Sequence, residues 1–383
     1  MLSGGGRFDV RNKIKSSSDQ DQRLQSPTHN IVGAALSVTP VVLSLSRRGI
    51  TVKAIVVDEH GSYRNAVIRD VAPPEMGEWD VLVNVETMGV NFPDLEMIAG
   101  RHVVRPPLPF VPGMEFAGTV AAFGEQVRDF EIGDRVAGEV DFGAYAEQVV
   151  VSDQSCFRIP DEMSFEHAAA LGLVYQTAHF ALSDRAHMSA GERVLVNGAA
   201  GGVGLAAIQL VKALGATAIA GVRSDDQAEV ALAAGADHVV DLAADNLRES
   251  LREQVMAITN DHGADVILDP VGGLVFDASL RALAWSGRLV VVGFASREVP
   301  TIDANFLLLR NISVIGLHWR QYRLGEPEWV RRIQNDMYSL YRQGRLTPHV
   351  MHTYPMEGFA EALEVLEAGR VHGKVVLSAR HGQ

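Results

Sequence analysis

The chain has 383 residues, 47% of them hydrophobic, with 34 Lys+Arg against 47 Asp+Glu and a formal net charge of −13 at pH 7. That length exceeds one ordinary core, so two domains are expected, and the acidic balance excludes sequence-independent nucleic-acid binding, which needs a concentrated basic surface. The same charge makes a small-molecule partner, rather than nucleic acid or membrane, the expectation, and the single cysteine, Cys156, excludes an internal disulfide framework and fits a reducing, cytoplasmic setting.

Residues 1–50 differ in composition from the rest, with glycine at 4–6, serine at 16–18, and Lys and Arg outnumbering Asp. They are expected to form a disordered or loosely attached extension without a catalytic role. The apolar stretch Ile31 to Leu45 is interrupted by Pro40, too short to span a bilayer and too far along the chain for an ordinary secretory signal. Asp9, Asp19 and Asp21 count against a transit sequence.

From residue 51 the pattern becomes short strands and turns: Val52 to Val57, Val81 to Val85, Gly118 to Phe123, Arg135 to Gly138 and Ala144 to Val151. This predicts an all-β, barrel-like module over 51–173. The end of the chain, 345–383, offers a helix at Phe359 to Leu366 and a strand at Gly373 to Leu377, which are expected to complete that module.

Between them, 174–344 alternates strand and helix patterns. The buried-strand run Val194 to Val196 passes through Ala199-Ala200-Gly201-Gly202-Val203-Gly204 into a helical pattern ending at Leu214. Such a turn lets the backbone approach a pyrophosphate at Gly201, lets helix pack on strand at Gly204, and presents free helix N–H groups to the anion. A ligand-free strand-turn-helix favours glycine as well, so the continuation decides. Thr217 to Val222, Val239-Val240, Val266 to Asp269, Arg288 to Gly293 and Ile312 to Gly316 are further apolar runs, separated by helical ones at Gln227 to Ala234 and Val275 to Trp285. The set predicts an α/β domain with a doubly wound parallel sheet. After the second strand, where an NAD-binding fold places an acid on the ribose, the chain reads Val222-Arg223-Ser224. Arg223 can pair with a 2′-phosphate and Ser224 can add a hydroxyl, so the predicted cofactor is NADPH. The alternative is that Arg223 is a solvated loop residue and Asp225 or Asp226 reaches the ribose.

Val90-Asn-Phe-Pro-Asp94, Pro106 to Gly118, the Ala199 to Gly204 turn, Asp269-Pro-Val-Gly-Gly273, Leu283 to Phe294 and Gly373-Lys374 together resemble the zinc-independent quinone oxidoreductase family of the medium-chain dehydrogenase/reductase superfamily. The resemblance spans about residue 52 to the end. It implies a GroES-like β-barrel catalytic domain with an inserted Rossmann domain, a cleft between them, and a homodimer. Zinc-using relatives place a cysteine near Asn91 to Asp94 and Gly-His-Glu where this chain has Gly113-Met114-Glu115, so no metal site is expected. Without a Lewis acid the hydride acceptor must be electrophilic itself or polarised by hydrogen-bond donors, which suits a quinone or related conjugated carbonyl. The resemblance puts Asn91 at the nicotinamide and acceptor, unless it only bonds backbone in a turn. Asp94 is a candidate beside it, either as proton donor or as cap. Where family members often have tyrosines, Glu96 and His102 stand, and His102 could donate a proton. Thr177, Gly272, Phe294, Ala295 and Lys374 are the remaining cofactor candidates, with helix-start, turn and exposed-lysine roles as the alternatives. Competing readings are an enoyl-thioester or enone reductase, for which Arg101, Arg105, Arg320 and Arg323 could supply a basic entrance, and an NADPH-binding protein with little turnover.

Overall fold

The computed structural model describes residues 51–379, so the extension expected over 1–50 lies outside the described residues. In chain order, the first part contains β1 (Val52–Val56), β2 (Val67–Val71), β3 (Asp80–Gly89), α1 (Phe92–Ile98), β4 (Glu115–Phe123), β5 (Arg135–Glu139), β6 (Gln148–Ser152), β7 (Cys156–Arg158) and α2 (Phe165–His179). The middle part alternates regularly: β8 (Arg193–Asn197), α3 (Gly202–Ala213), β9 (Thr217–Val222), α4 (Asp225–Ala233), β10 (His238–Asp241), α5 (Leu247–Ile258), β11 (Ala264–Asp269), α6 (Gly273–Ala282), β12 (Leu283–Val291), α7 (Ala304–Arg310) and β13 (Ser313–Gly316). Then follow α8 (Trp319–Gly325), α9 (Pro327–Arg342), β14 (Val350–Pro355), α10 (Phe359–Glu367) and β15 (Lys374–Ser378).

In β3 the buried Val81, Val83 and Val85 alternate with more exposed neighbours, the period-two pattern of a strand with one face on a core. In β8, by contrast, Val194, Leu195 and Val196 are all fully buried, because a parallel strand is covered on both faces. On α5 the buried Leu247, Leu251 and Val255 recur every four residues and form the stripe that faces the sheet.

Two sheets organise the molecule. One is six-stranded and parallel, in the order β10-β9-β8-β11-β12-β13. Its order reverses between β8 and β11, and such a switch point leaves a crevice at the carboxyl ends of the two strands. The other sheet runs β14-β15-β3-β4-β5-β7, with β6 also paired to β3. β15 is antiparallel to β3, pairing Leu377 with Met88, so the chain's last strands return to the sheet from which it set out. The architecture is therefore α/β, a Rossmann-type parallel sheet set into a GroES-like unit.

Three expectations change. The sheet running from β14 to β7 is an open path rather than a closed barrel, and β1 and β2 form a separate pair joined to neighbouring segments by single bridges at Ala54–Ala146 and Val57–Phe110. The helix expected through Trp285 stops at Ala282, and Leu283 opens β12 instead; a short run of Leu and Ala carries no periodicity that distinguishes the two. Tyr175 to Thr177 do not open a helix but sit in the last turns of α2, which starts at its N-cap Ser164. The boundary placed at 173/174 thus falls inside α2, which packs on β3, β4 and β5 as well as on α3 and α9.

Candidate active site

A cavity of about 980 Å³ lies between the two sheets, lined by the turn after β8, the carboxyl ends of β9, β11 and β12, the β3–α1 junction and the start of β15. The turn after β8 is shaped by two glycines. Gly198 takes φ +59 to reverse the chain, and a Cβ on Gly204 would stand 2.4 Å from the Gly198 carbonyl oxygen and 2.6 Å from that of Ala199. Only glycine lets α3 start this close to the turn. Gly201 is the N-cap of α3, and a Cβ there would meet nothing nearer than the Gly198 oxygen at 3.4 Å. Gly202, Val203 and Gly204, whose amides are the first of α3 and have no intrahelical acceptor, line the cavity at the positive end of the helix. Ala200 to Gly204 line the cavity; Ala199 does not, because it is buried with its N–H on the Gly221 carbonyl. At the far end, Arg223 follows β9, exposed and without an ion-pair partner among the described residues, while its backbone N–H donates to Gln227. Ser224 is displaced from the predicted role: its Oγ accepts the Gln227 N–H as the N-cap of α4, and it does not line the cavity.

At the other end the wall rests on a buried polar cluster. Glu115 on β4 accepts from Lys374 Nζ at 2.6 Å and from Asn91 Nδ2 at 2.8 Å through Oε1, and from the Leu173 N–H at 2.9 Å through Oε2. Lys374 also donates to Asn91 Oδ1 at 2.6 Å and to the Val90 carbonyl at 2.9 Å. All three ammonium hydrogens are thereby committed. Asn91 Nδ2 gives its second hydrogen to the Gly89 carbonyl, so this amide has no donor left for an acceptor oxygen. Asn91 and Lys374 line the cleft as its fixed wall, which corrects the donor role expected of Asn91.

Asp94 is corrected as well. It is fully buried off the cavity, accepting from the Asn91 N–H and from Tyr145 Oη on the same oxygen, as a cap rather than a reacting acid. Burial pushes its carboxyl up to about 7, against those two hydrogen bonds. Glu139, which the sequence did not single out, is buried with neither carboxyl oxygen partnered. Burial first and the charge of Glu115 second push it up to about 8, so it is held neutral.

His102 lines the cavity, half-buried. Burial lowers its pKa and the charge of Arg320 lowers it further, which leaves the ring neutral at neutral pH. Its Nδ1 accepts the Val104 N–H at 3.2 Å, and that bond assigns the proton to Nε2, the nitrogen left free to donate. Thr177, Gly272, Phe294 and Ala295 line the cavity as expected from the sequence. Gly272, at φ +77, leaves room for the Phe294 ring, whose Cδ1 a Cβ would meet at 3.1 Å.

Lys374→Met should cost about 3–5 kcal/mol in denaturant unfolding, because it leaves the Glu115 carboxylate buried without its cation. The double variant Lys374→Met/Glu115→Gln should recover more than half of that loss. A single-variant cost below about 1 kcal/mol would mean that the pair does not anchor the wall.

Two family models match: the alcohol dehydrogenase GroES-like domain over residues 77–161 and the zinc-binding dehydrogenase over residues 202–335. Quinone oxidoreductase-like protein 2 of Mus musculus is 38% identical over 314 residues, covering 82% of this chain and 89% of that protein. Among solved structures, a mycobacterial protein complexed with NADPH superposes with a TM-score of 0.80 at 31% identity, covering 85% of this chain and 99% of that one. Escherichia coli quinone oxidoreductase complexed with NADPH superposes with a TM-score of 0.77 at 29% identity, covering 86% and 99%. With these matches extending through both sheets and the cleft between them, the chain belongs to the quinone oxidoreductase-like proteins of the medium-chain dehydrogenase/reductase superfamily.

Proposed function

We propose that this protein reduces quinones or related conjugated carbonyls with NADPH, in a cleft that uses no metal ion. The observation that carries the reading is a glycine turn after β8 and an Arg223 without an ion-pair partner among the described residues, which follow the ends of two neighbouring strands in one cavity wall. The amides of Gly202, Val203 and Gly204 would hold a pyrophosphate, and the guanidinium fork of Arg223 a 2′-phosphate. Thr177, Gly272, Phe294 and Ala295 would flank the nicotinamide, which supplies hydride when bound. The two solved relatives that hold NADPH support the choice of cofactor.

The acceptor follows from the donors available. Among the described residues no group of three or more His, Cys, Asp or Glu could hold a metal ion. Met114 lines the cleft where the zinc-using relatives carry histidine, and Cys156 is buried in β7, paired with β5. Developing negative charge on the acceptor oxygen must then be met by hydrogen bonds. Neutral His102 offers Nε2–H for this, and Asn91 and Lys374 keep the opposite wall rigid and water-poor. A quinone, which needs little polarisation, is the acceptor such a site can serve.

We also propose that the working form is a homodimer. β13 is the edge of the parallel sheet, and Trp285, Leu308 and Leu309 stand 72%, 79% and 67% exposed close to one another, where Asn311 bonds Ser286. Such an apolar patch at a sheet edge suits a second copy of the chain.

In an assay that follows NADPH oxidation with quinones, Arg223→Ala should weaken NADPH about 10–100-fold while changing NADH little, since one charge-assisted contact is lost. Equal losses for both would remove the 2′-phosphate assignment. His102→Ala should lower kcat about a hundredfold with NADPH affinity unchanged; an unaltered kcat would place the acceptor away from it. Light scattering should give twice the 41.4 kDa chain mass, reduced to the single chain by Leu308→Glu/Leu309→Glu. A wild-type monomer would rule out the dimer.

A further inference from the structure

The cleft wall beside His102 carries an excess of positive charge, although the chain as a whole is acidic. Asp141, just past β5, is shared by two arginines of α8. Arg320 grips it with Nε on Oδ1 at 2.8 Å and Nη2 on Oδ2, and Arg323 Nη2 bonds Oδ1 as well. One carboxylate thus faces two guanidinium groups. The next acid beside Arg323 is Glu139, which hydrogen-bonds it only through its backbone carbonyl, and burial holds the Glu139 carboxyl largely protonated, so it is a weak second counter-charge. The remaining titratable groups here are His102, itself neutral and sensing the charge of Arg320, and Glu96, whose carboxylate is taken by Arg101 and Arg297. Arg323 is buried, but Arg320 lines the cavity, and its Nη1 takes no part in the grip on Asp141. Of the four arginines singled out in the sequence, these two are brought together, whereas Arg101 is neutralised by Glu96.

We propose that Arg320, backed by Arg323, forms a subsite in the cleft for an anionic substituent on the acceptor, a carboxylate or a group of similar charge. The inference rests on the reductase reading, because it assigns the substrate class of the same cleft. A half-buried guanidinium with an unspent donor, facing a neutral histidine, attracts an anion more strongly than a solvated one does, and salt screens that attraction. The surplus charge therefore selects among quinones that otherwise react alike.

The test compares a naphthoquinone bearing a propanoate side chain with its methyl ester, by NADPH oxidation at low and high salt. The wild type should favour the propanoate about tenfold in kcat/KM, with a KM that rises with salt for the acid alone. Arg320→Gln should erase the preference, Arg320→Lys should keep most of it, and Asp141→Asn should enlarge it. Turnover of both compounds with no preference, or an equal effect of Arg320→Gln on both, would overturn the subsite and leave Arg320 as a structural tie to Asp141. Turnover of neither would overturn the reductase reading. Calorimetric titration of the propanoate into protein loaded with NADP+ then still decides the subsite: salt-sensitive binding lost in Arg320→Gln supports it, and binding indifferent to both contradicts it.

Discussion

The ion pair between Glu115 and Lys374 is the constraint on which the site depends. The two residues are 259 positions apart, both are almost completely buried, and burying either charge alone would cost several kcal/mol. The carboxylate is satisfied because four segments converge on it: the β3–α1 junction through Asn91, β4 through its own backbone, α2 through the Leu173 N–H, and β15 through Lys374. Glycines make the convergence possible. A Cβ on Gly89 would stand 2.3 Å from Oε1 of Glu115, and one on Gly172 would stand 3.2 Å from Oε2. The same anchor reaches the cofactor side, because Gly373, next to Lys374, donates its N–H to the Ala200 carbonyl in the turn after β8 at 2.7 Å. One buried carboxylate therefore holds the acceptor wall and the glycine turn in a common frame.

This anchor also bears on the chemistry. Glu115 already receives an ammonium, an amide and a backbone N–H, so its acceptor capacity is largely spent on protein donors. The Lys374 ammonium is spent on Glu115, Asn91 and the Val90 carbonyl, so it is turned toward structure. On the proposed reading, negative charge on an acceptor oxygen would be met by His102 Nε2–H, and beyond it by the guanidinium of Arg320. Both are weaker polarising groups than a divalent metal, and they match an acceptor that is electrophilic before it binds.

The parallel sheet was legible in the sequence because each of its strands is a short apolar run set between helical runs, and the glycine turn marks the switch point directly. The glycine roles were legible for the same reason: a backbone approach too close for a Cβ requires glycine at Gly204, and Gly201 caps α3 where the turn lines the cavity. The partners of buried polar residues were not legible. Nothing local links Lys374 to Glu115, or Asp94 to Tyr145 on a distant loop, so Asn91 looked like a free donor when its hydrogens were already taken. Ser224 was ambiguous by nature, since a hydroxyl that can meet a phosphate can equally cap the helix that follows it. Glu139 left no trace at all, because its importance lies in its full burial beside Glu115, a property only packing reveals.

The most direct test is the metal content of purified protein measured on the same sample that oxidises NADPH with a quinone, by elemental analysis before and after exhaustive chelation. Zinc far below one per chain, with turnover unaffected by chelation, is the predicted result. Stoichiometric zinc, or activity that vanishes with chelation and returns with zinc, would contradict a cleft that meets its acceptor with hydrogen-bond donors of the chain.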